Sequence, residues 1–208
     1  MSRVSVLKFI KRLERSVFTT REISELSGKS LSAVTQALNF LQKQKVIFKI
    51  YRGVWSEVTS NPLSPYTIIP FLFSGQRVYV SFLSALHIYG IIEQIPQLIY
   101  LAAMAHTRIV RTKISDFSVH QITPYFFKGF SWYKGTGNFL IAEPEKALVD
   151  CVYLSVRKKN QFGYFPELYF PKTFSFKKAK LWVKKIPDAK IRLAVNRKLD
   201  KLKSSLSL

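Results

Sequence analysis

A chain of 208 residues, 48% of them apolar, is long enough for one large or two small packed domains and too apolar to be disordered. Its 33 Lys and Arg stand against 12 Asp and Glu, a formal charge of +21, which exceeds what solubility needs and implies a polyanionic partner: nucleic acid, an acidic protein or anionic lipid. The single Cys151 excludes an internal disulfide and a cysteine-rich zinc site.

The charge is unevenly placed. Residues 1–60 hold 11 basic and 4 acidic side chains, residues 61–152 hold 7 and 5, and residues 153–208 hold 15 and 3. A near-neutral middle is thus flanked by two basic ends. Lys8, Lys11 and Arg12 break the first apolar stretch, so no signal peptide is expected. Residues 98–105 are too short to span a bilayer and Pro70 interrupts residues 68–73, so no membrane segment is expected and a reducing cytoplasm fits best.

In chain order, Val4, Leu7, Ile10 and Lys11 fall on helical spacing and predict a first helix over 4–13. Thr19 with Glu22 three residues on predicts a capping box, Ile23 and Leu26 an inward face, and Gly28 a stop. Ser30 predicts the cap of a third helix, in which Leu31, Val34, Leu38 and Leu41 form a buried stripe. Residues 46–58 alternate and turn at Arg52-Gly53, which reads as a hairpin.

Three short helices and a hairpin are the order of a winged helix-turn-helix, whose third helix enters the major groove. Lys29, Ser30, Ser32, Thr35, Gln36 and Asn39 are then the candidates for DNA contact from that helix, with hydroxyls and amides able to reach base edges. Lys49 and Arg52 on the hairpin are the candidates for phosphate or minor-groove contact. A polar helix face alone is only a wet face. The ordered set of caps, Gly turn and basic hairpin favours double-stranded DNA binding by residues 1–60.

Prolines at 62, 65 and 70 place a domain junction near 58–66, with a second domain over 66–208. There, residues 79–92 read as a helix ending near Gly90. Residues 97–104, 117–123 and 129–143 read as strands with Gly turns, and Pro144 opens a helix. Ser175 and Asp188 are predicted caps of two further helices, the last carrying the stripe Ile191, Val195, Leu199 and Leu202. The fold class expected is α+β: the N-terminal winged helix-turn-helix, then a larger mixed α/β domain with a helical, basic C-terminal end.

The stretch IAEPEKALVDCV (141–152) gathers Glu143, Glu145, Lys146 and Asp150 beside Cys151. As a helix it places Ala147, Leu148, Cys151, Val152 and Leu154 on one side. Lys146 and Asp150 lie four apart on the other, predicting a surface ion pair worth about 0.2–0.5 kcal/mol. Glu145 falls on the apolar arc and is expected to be partly buried. Asp116, Asp150, Asp188 and Asp200 show no paired spacing, His87, His106 and His120 are scattered, and Gly135–Gly137 is no phosphate loop. No enzyme activity, metal or cofactor is expected.

Several stretches taken together, YRGVWSEV, YVSFLSALHIYGIIEQIPQLIYLAA and FKGFSWYKGTGNFLIAEPEKALVDCVYL, resemble the AbiEi-type antitoxins of type IV toxin–antitoxin systems, abortive-infection proteins of bacterial phage defence. The likeness spans roughly 4–205 and is most specific in SALHIYG (Ser84, Ala85, Leu86, Gly90) and EPEKALVD (Pro144, Glu145, Lys146, Ala147, Leu148, Asp150). Trp55 stands where the family more often has Tyr. The resemblance implies an N-terminal domain that binds inverted repeats in its own promoter and represses transcription, as a dimer or as cooperating monomers. It implies a larger domain that counteracts a nucleotidyltransferase-like toxin, with no cofactor and no membrane. The basic tail (Lys177, Lys178, Lys180, Lys184, Lys185, Arg192, Arg197, Lys198) is a candidate for nucleic acid or an acidic protein surface. The alternative is a winged-helix regulator with no toxin partner, whose second domain oligomerises or senses a ligand, with Trp132, Tyr133, Phe162, Tyr164 and Phe165 as candidate lining.

Overall fold

The computed structural model describes residues 5–135, 137–158 and 161–205, which form a mixed α+β structure with eight α-helices and two sheets. Two compact units divide the chain: Met1–Gly75 with Arg111–Ser115, and Gln76–Val110 with Asp116–Leu208. Val4, read as part of the first helical stripe, lies outside the described residues.

The first unit runs α1 (Val6–Arg12), β1 (Val17–Thr19), α2 (Thr20–Ser27), α3 (Leu31–Lys43), β2 (Ile47–Tyr51), β3 (Val54–Glu57) and α4 (Ile69–Leu72). Local chemistry sets the helix ends. The Thr19 hydroxyl accepts from the Glu22 amide, and the Glu22 carboxylate accepts from the Thr19 amide at 2.8 Å, satisfying two otherwise orphaned donors. Gly28 ends α2 at φ 66, a conformation that costs a residue with a Cβ. Ser30 Oγ then accepts from the Ala33 amide and starts α3. The sheet is antiparallel in the order β1-β3-β2, with β2 and β3 joined through Arg52-Gly53. Ile10, Phe18, Ile23, Val34, Leu38, Ile47 and Trp55 form the core. Trp55 keeps its indole N–H satisfied by donating to Thr20 Oγ1 at 2.9 Å.

Two residues assigned inward from their spacing are exposed: Leu26 at 44% and Leu31 at 52%. They occupy the last turn of α2 and the first residue of α3, at the helix corner, where the core cluster has ended. Residues 61–75 belong to this unit. Pro65–Ile68 makes a 3₁₀ turn into α4, Ile68, Ile69 and Phe73 are buried, and the Arg15 guanidinium lies over the Phe71 ring at 5.1 Å.

The second unit holds β4 (Val78–Val80), α5 (Phe82–Ile88), β5 (Ile99–Ala103), β6 (Arg108–Arg111), β7 (Asp116–Gln121), β8 (Phe130–Trp132), β9 (Leu140–Ala142), α6 (Pro144–Arg157), α7 (Phe176–Lys184) and α8 (Ala189–Ser205). Its sheet has the order β6-β7-β5-β4-β9-β8, with β5/β7 and β4/β9 parallel and β4/β5 and β8/β9 antiparallel. Residues 79–92 are not one helix. Tyr79 and Val80 belong to β4, held between β5 and β9, and the helix starts at Phe82. A strand buried on both faces reads as a plain apolar run, which periodicity cannot tell from helix.

Pro144 occupies the first turn of α6, whose neighbours are α5, α7 and α8. Every residue of α6 from Glu145 to Ser155 is buried. The Lys146–Asp150 pair expected at the surface is therefore in the interior, both side chains fully excluded from water. Helical spacing shows one apolar side. It could not show that neighbouring helices and the sheet cover the polar side as well. Gly129 lets the chain pass close by: a Cβ there would meet the Trp182 ring at 2.5 Å and the Lys146 Cγ at 3.1 Å.

Candidate nucleic-acid interface and a buried polar network

Helix α3 presents Leu31, Ser32, Ala33, Gln36, Asn39, Phe40 and Lys43 to solvent, and its thirteen residues include no Asp or Glu. Other predicted contacts are partly committed elsewhere. The Thr35 hydroxyl is half-buried and donates to the Leu31 carbonyl at 2.7 Å. Ser30 Oγ is the helix cap, and the half-buried Lys29 has its carbonyl held by Ser24 Oγ at 2.6 Å. The half-buried Lys49 lays its ammonium 5.3 Å from the Trp55 ring centre. Arg52 is exposed at the hairpin tip and makes no ion pair among the described residues. Sequence spacing missed Phe40, 60% exposed on the same face as Gln36. A leucine-rich stripe draws attention to the buried side of a helix and away from a lone aromatic on the other.

The basic tail is less free than its composition suggests. Lys178 pairs with Glu143 at 3.2 Å and Glu145 at 3.3 Å, and Lys180 pairs with Asp200 at 2.7 Å. Lys185 lies over the Trp182 ring at 3.8 Å. Arg192 donates to the Ile186 carbonyl at 2.7 Å, and Lys198 donates to Ser155 Oγ at 3.1 Å. Lys177, Lys184 and Arg197 are exposed and make no ion pair among the described residues.

The EPEKALVD residues meet in a dry polar cluster. The Lys146 ammonium bonds Asp150 Oδ1 and donates to the Tyr79 hydroxyl at 3.1 Å, and it lies 3.9 Å from the Phe126 ring centre. Asp150 Oδ2 accepts from Ser81 Oγ at 2.7 Å and from the Tyr79 hydroxyl at 3.1 Å. Burial, reinforced by the Asp150 charge, holds the Tyr79 phenol well above its usual range, so it stays protonated and able to donate. Burial also draws Lys146 downward and Asp150 upward, each toward its neutral form, while their mutual attraction opposes both shifts. Glu145 is buried, accepts from the Ser175 amide at 3.1 Å and faces Lys178, so it ties the start of α6 to the start of α7. Glu143 accepts from the Trp182 indole at 3.3 Å.

The SALHIYG residues are structural in the same sense. Ser84 Oγ accepts from the Tyr100 amide at 2.8 Å, Ala85 and Leu86 are buried, and Gly90 follows α5 at φ 67. Cys151 is buried and its thiol is pushed up by that burial.

A second cluster surrounds His120. The ring packs against Phe82, Tyr100 and Phe162 at centroid distances of 5.1, 5.8 and 5.5 Å. Its Nε2 is 3.1 Å from Ser118 Oγ, and its Nδ1 is buried without a partner among the described residues. Burial, with Lys158 nearby, lowers its pKa to about 4. Trp132 and Tyr164, read as possible pocket lining, are exposed. Among the described residues no group of three His, Cys, Asp or Glu could hold a metal ion, and no helix is long and apolar enough to cross a membrane.

No family model matches the chain, and no curated protein matches it.

Two outcomes follow from the buried groups. Lys146→Met leaves the buried Asp150 carboxyl without its cation and should lower the unfolding free energy by about 3–5 kcal/mol. The double variant Lys146→Met/Asp150→Leu removes both charges and should be less destabilised than Lys146→Met alone, measured by urea unfolding. For His120 the folded pKa lies below the unfolded value, so between pH 6.5 and 4 the unfolded chain takes up a proton that the folded chain refuses. Stability is therefore full above pH 6.5 and falls as pH drops toward 4, by about 2–3 kcal/mol at pH 4.5 from this group. His120→Phe should remove that share of the pH dependence, and an unaltered difference between pH 7 and 4.5 would show that His120 does not supply it.

Proposed function

We propose that the chain is a DNA-binding transcriptional autorepressor whose first unit acts as a winged helix-turn-helix, with α3 in the major groove and the β2–β3 hairpin as the wing. The observation that carries this reading is the acid-free outer face of α3, with its hydroxyls and amides, together with an exposed Arg52 on the hairpin that makes no ion pair among the described residues. The element order and the β1-β3-β2 pairing suit a winged helix, and the formal charge of +21 suits a polyanionic partner. On this reading the second unit is an antitoxin domain that counteracts a nucleotidyltransferase-like toxin in the cytoplasm. That part rests on the resemblance of SALHIYG and EPEKALVD to the AbiEi-type antitoxins. If a nucleotidyltransferase-like gene adjoins this one, co-expression of the two should rescue growth.

The test is the affinity of the full chain for a duplex carrying the sequence upstream of its own gene, measured over a salt series. Arg52→Glu should weaken binding to every duplex alike and reduce the magnitude of the salt slope by about 1. Lys49→Glu also disturbs the packing on Trp55, so Arg52 is the cleaner probe. Unchanged affinity and slope in Arg52→Glu would remove the hairpin from the interface, and no salt-dependent duplex binding by the full chain would overturn the reading.

A further inference from the structure

We infer that the exposed face of α3 reads A·T base pairs. This inference rests on the proposal above that α3 lies in the major groove of duplex DNA.

Each base presents a different chemistry in that groove. Guanine is read by a bidentate Arg or Lys, cytosine by a carboxylate, adenine by the paired donor and acceptor of an amide, and the thymine methyl by an apolar side chain. The face has Gln36 at its centre and no Arg, Asp or Glu anywhere on it. Ala33 and Phe40, three residues before and four after, flank Gln36 along the same side of the helix. Asn39 adds a second amide one turn on. The cations stand at the margins: Lys29 precedes the helix, Lys43 ends it, and Arg52 sits on the hairpin. That division matches phosphate contact at the edges and base contact at the centre.

Phe40 gives the inference its second support. Phe40, 60% exposed on the outer face of α3, leaves most of its apolar surface in water in the isolated unit. Beside an amide that suits adenine, it suits the methyl of a neighbouring thymine. The other use of such a side chain is self-association of the protein, and the experiment below separates the two.

The full chain is used to select binding sites from a pool of randomised duplexes, and the selected half-site is resynthesised with single-atom analogues. The inference expects A·T pairs at the core of the half-site. Replacing the critical adenine by 7-deazaadenine, which lacks N7, should weaken binding roughly tenfold, and replacing the thymine by uracil, which lacks the methyl, should weaken it roughly threefold. Gln36→Ala should bind the adenine and 7-deazaadenine duplexes equally. At least one of Ala33→Ser and Phe40→Ala should bind the thymine and uracil duplexes equally. A half-site core of G·C pairs, or full tolerance of both analogues by the unaltered chain, would overturn the inference while duplex binding stood. Phe40→Ala that weakens both duplexes alike and lowers protein self-association would assign Phe40 to a protein interface, and retained discrimination between thymine and uracil in both Phe40→Ala and Ala33→Ser would overturn the thymine contact. Failure to select any duplex would instead overturn the proposed function beneath it.

Discussion

An ammonium and a carboxylate lie wholly out of water on α6, and the second unit is organised around keeping Lys146 and Asp150 satisfied there. Moving two charges out of water costs several kcal/mol each, and the cost is met only with good geometry and further hydrogen bonds. The further bonds come from Tyr79 on β4 and from Ser81, the residue that precedes α5. The Phe126 ring covers the ammonium, and Gly129 provides the space beside the Lys146 stem into which Trp182 fits. β4 must therefore be central, α6 must be covered on all sides, and α7 must dock where Trp182 and Lys178 reach Glu143 and Glu145. The partners of the pair come from Tyr79, Ser81 and Phe126 as well as α6, so the network is complete only when all these segments are in place.

The positive charge outside this network is of two kinds. In the tail several cations are engaged inside the molecule: Lys178 and Lys180 are ion-paired, Lys185 covers an indole, and Arg192 and Lys198 bond backbone or hydroxyl oxygens. In the first unit Glu22 and Glu57 are engaged with Arg15 and Lys11, and α3 has no acid to offset the cations at its ends. Formal charge alone ranks the tail above the N-terminal unit as a surface for polyanions. Counting only uncommitted cations narrows that difference and draws attention to α3 and the hairpin.

Local signals were legible in the chain. The Thr19/Glu22 box, the Ser30 and Ser175 caps, the Pro144 start and the Arg52-Gly53 turn each depend on residues within a few positions, and each forms. What depended on tertiary surroundings was not legible. Lys146 and Asp150 have the spacing of a solvated pair, and only α5, α7, α8 and the sheet make them interior. Tyr79 and Val80 continue an apolar run into α5, and only their neighbours in the sheet make them strand. Leu26 and Leu31 continue apolar stripes past the point where the core stops. In the candidate interface the residue types were legible, but the internal engagement of Thr35 and Lys49 and the exposure of Phe40 were not.

The most direct measurement is hydroxyl-radical footprinting of the full chain with and without its upstream duplex, because both rival surfaces carry exposed side chains that report. Phe40 and Tyr51 mark α3 and the hairpin, while Leu181 and Leu193 mark α7 and α8. Duplex DNA should protect Phe40 and Tyr51 and leave Leu181 and Leu193 labelled as before. Protection of Leu181 and Leu193 with Phe40 and Tyr51 unaffected would contradict the proposed interface.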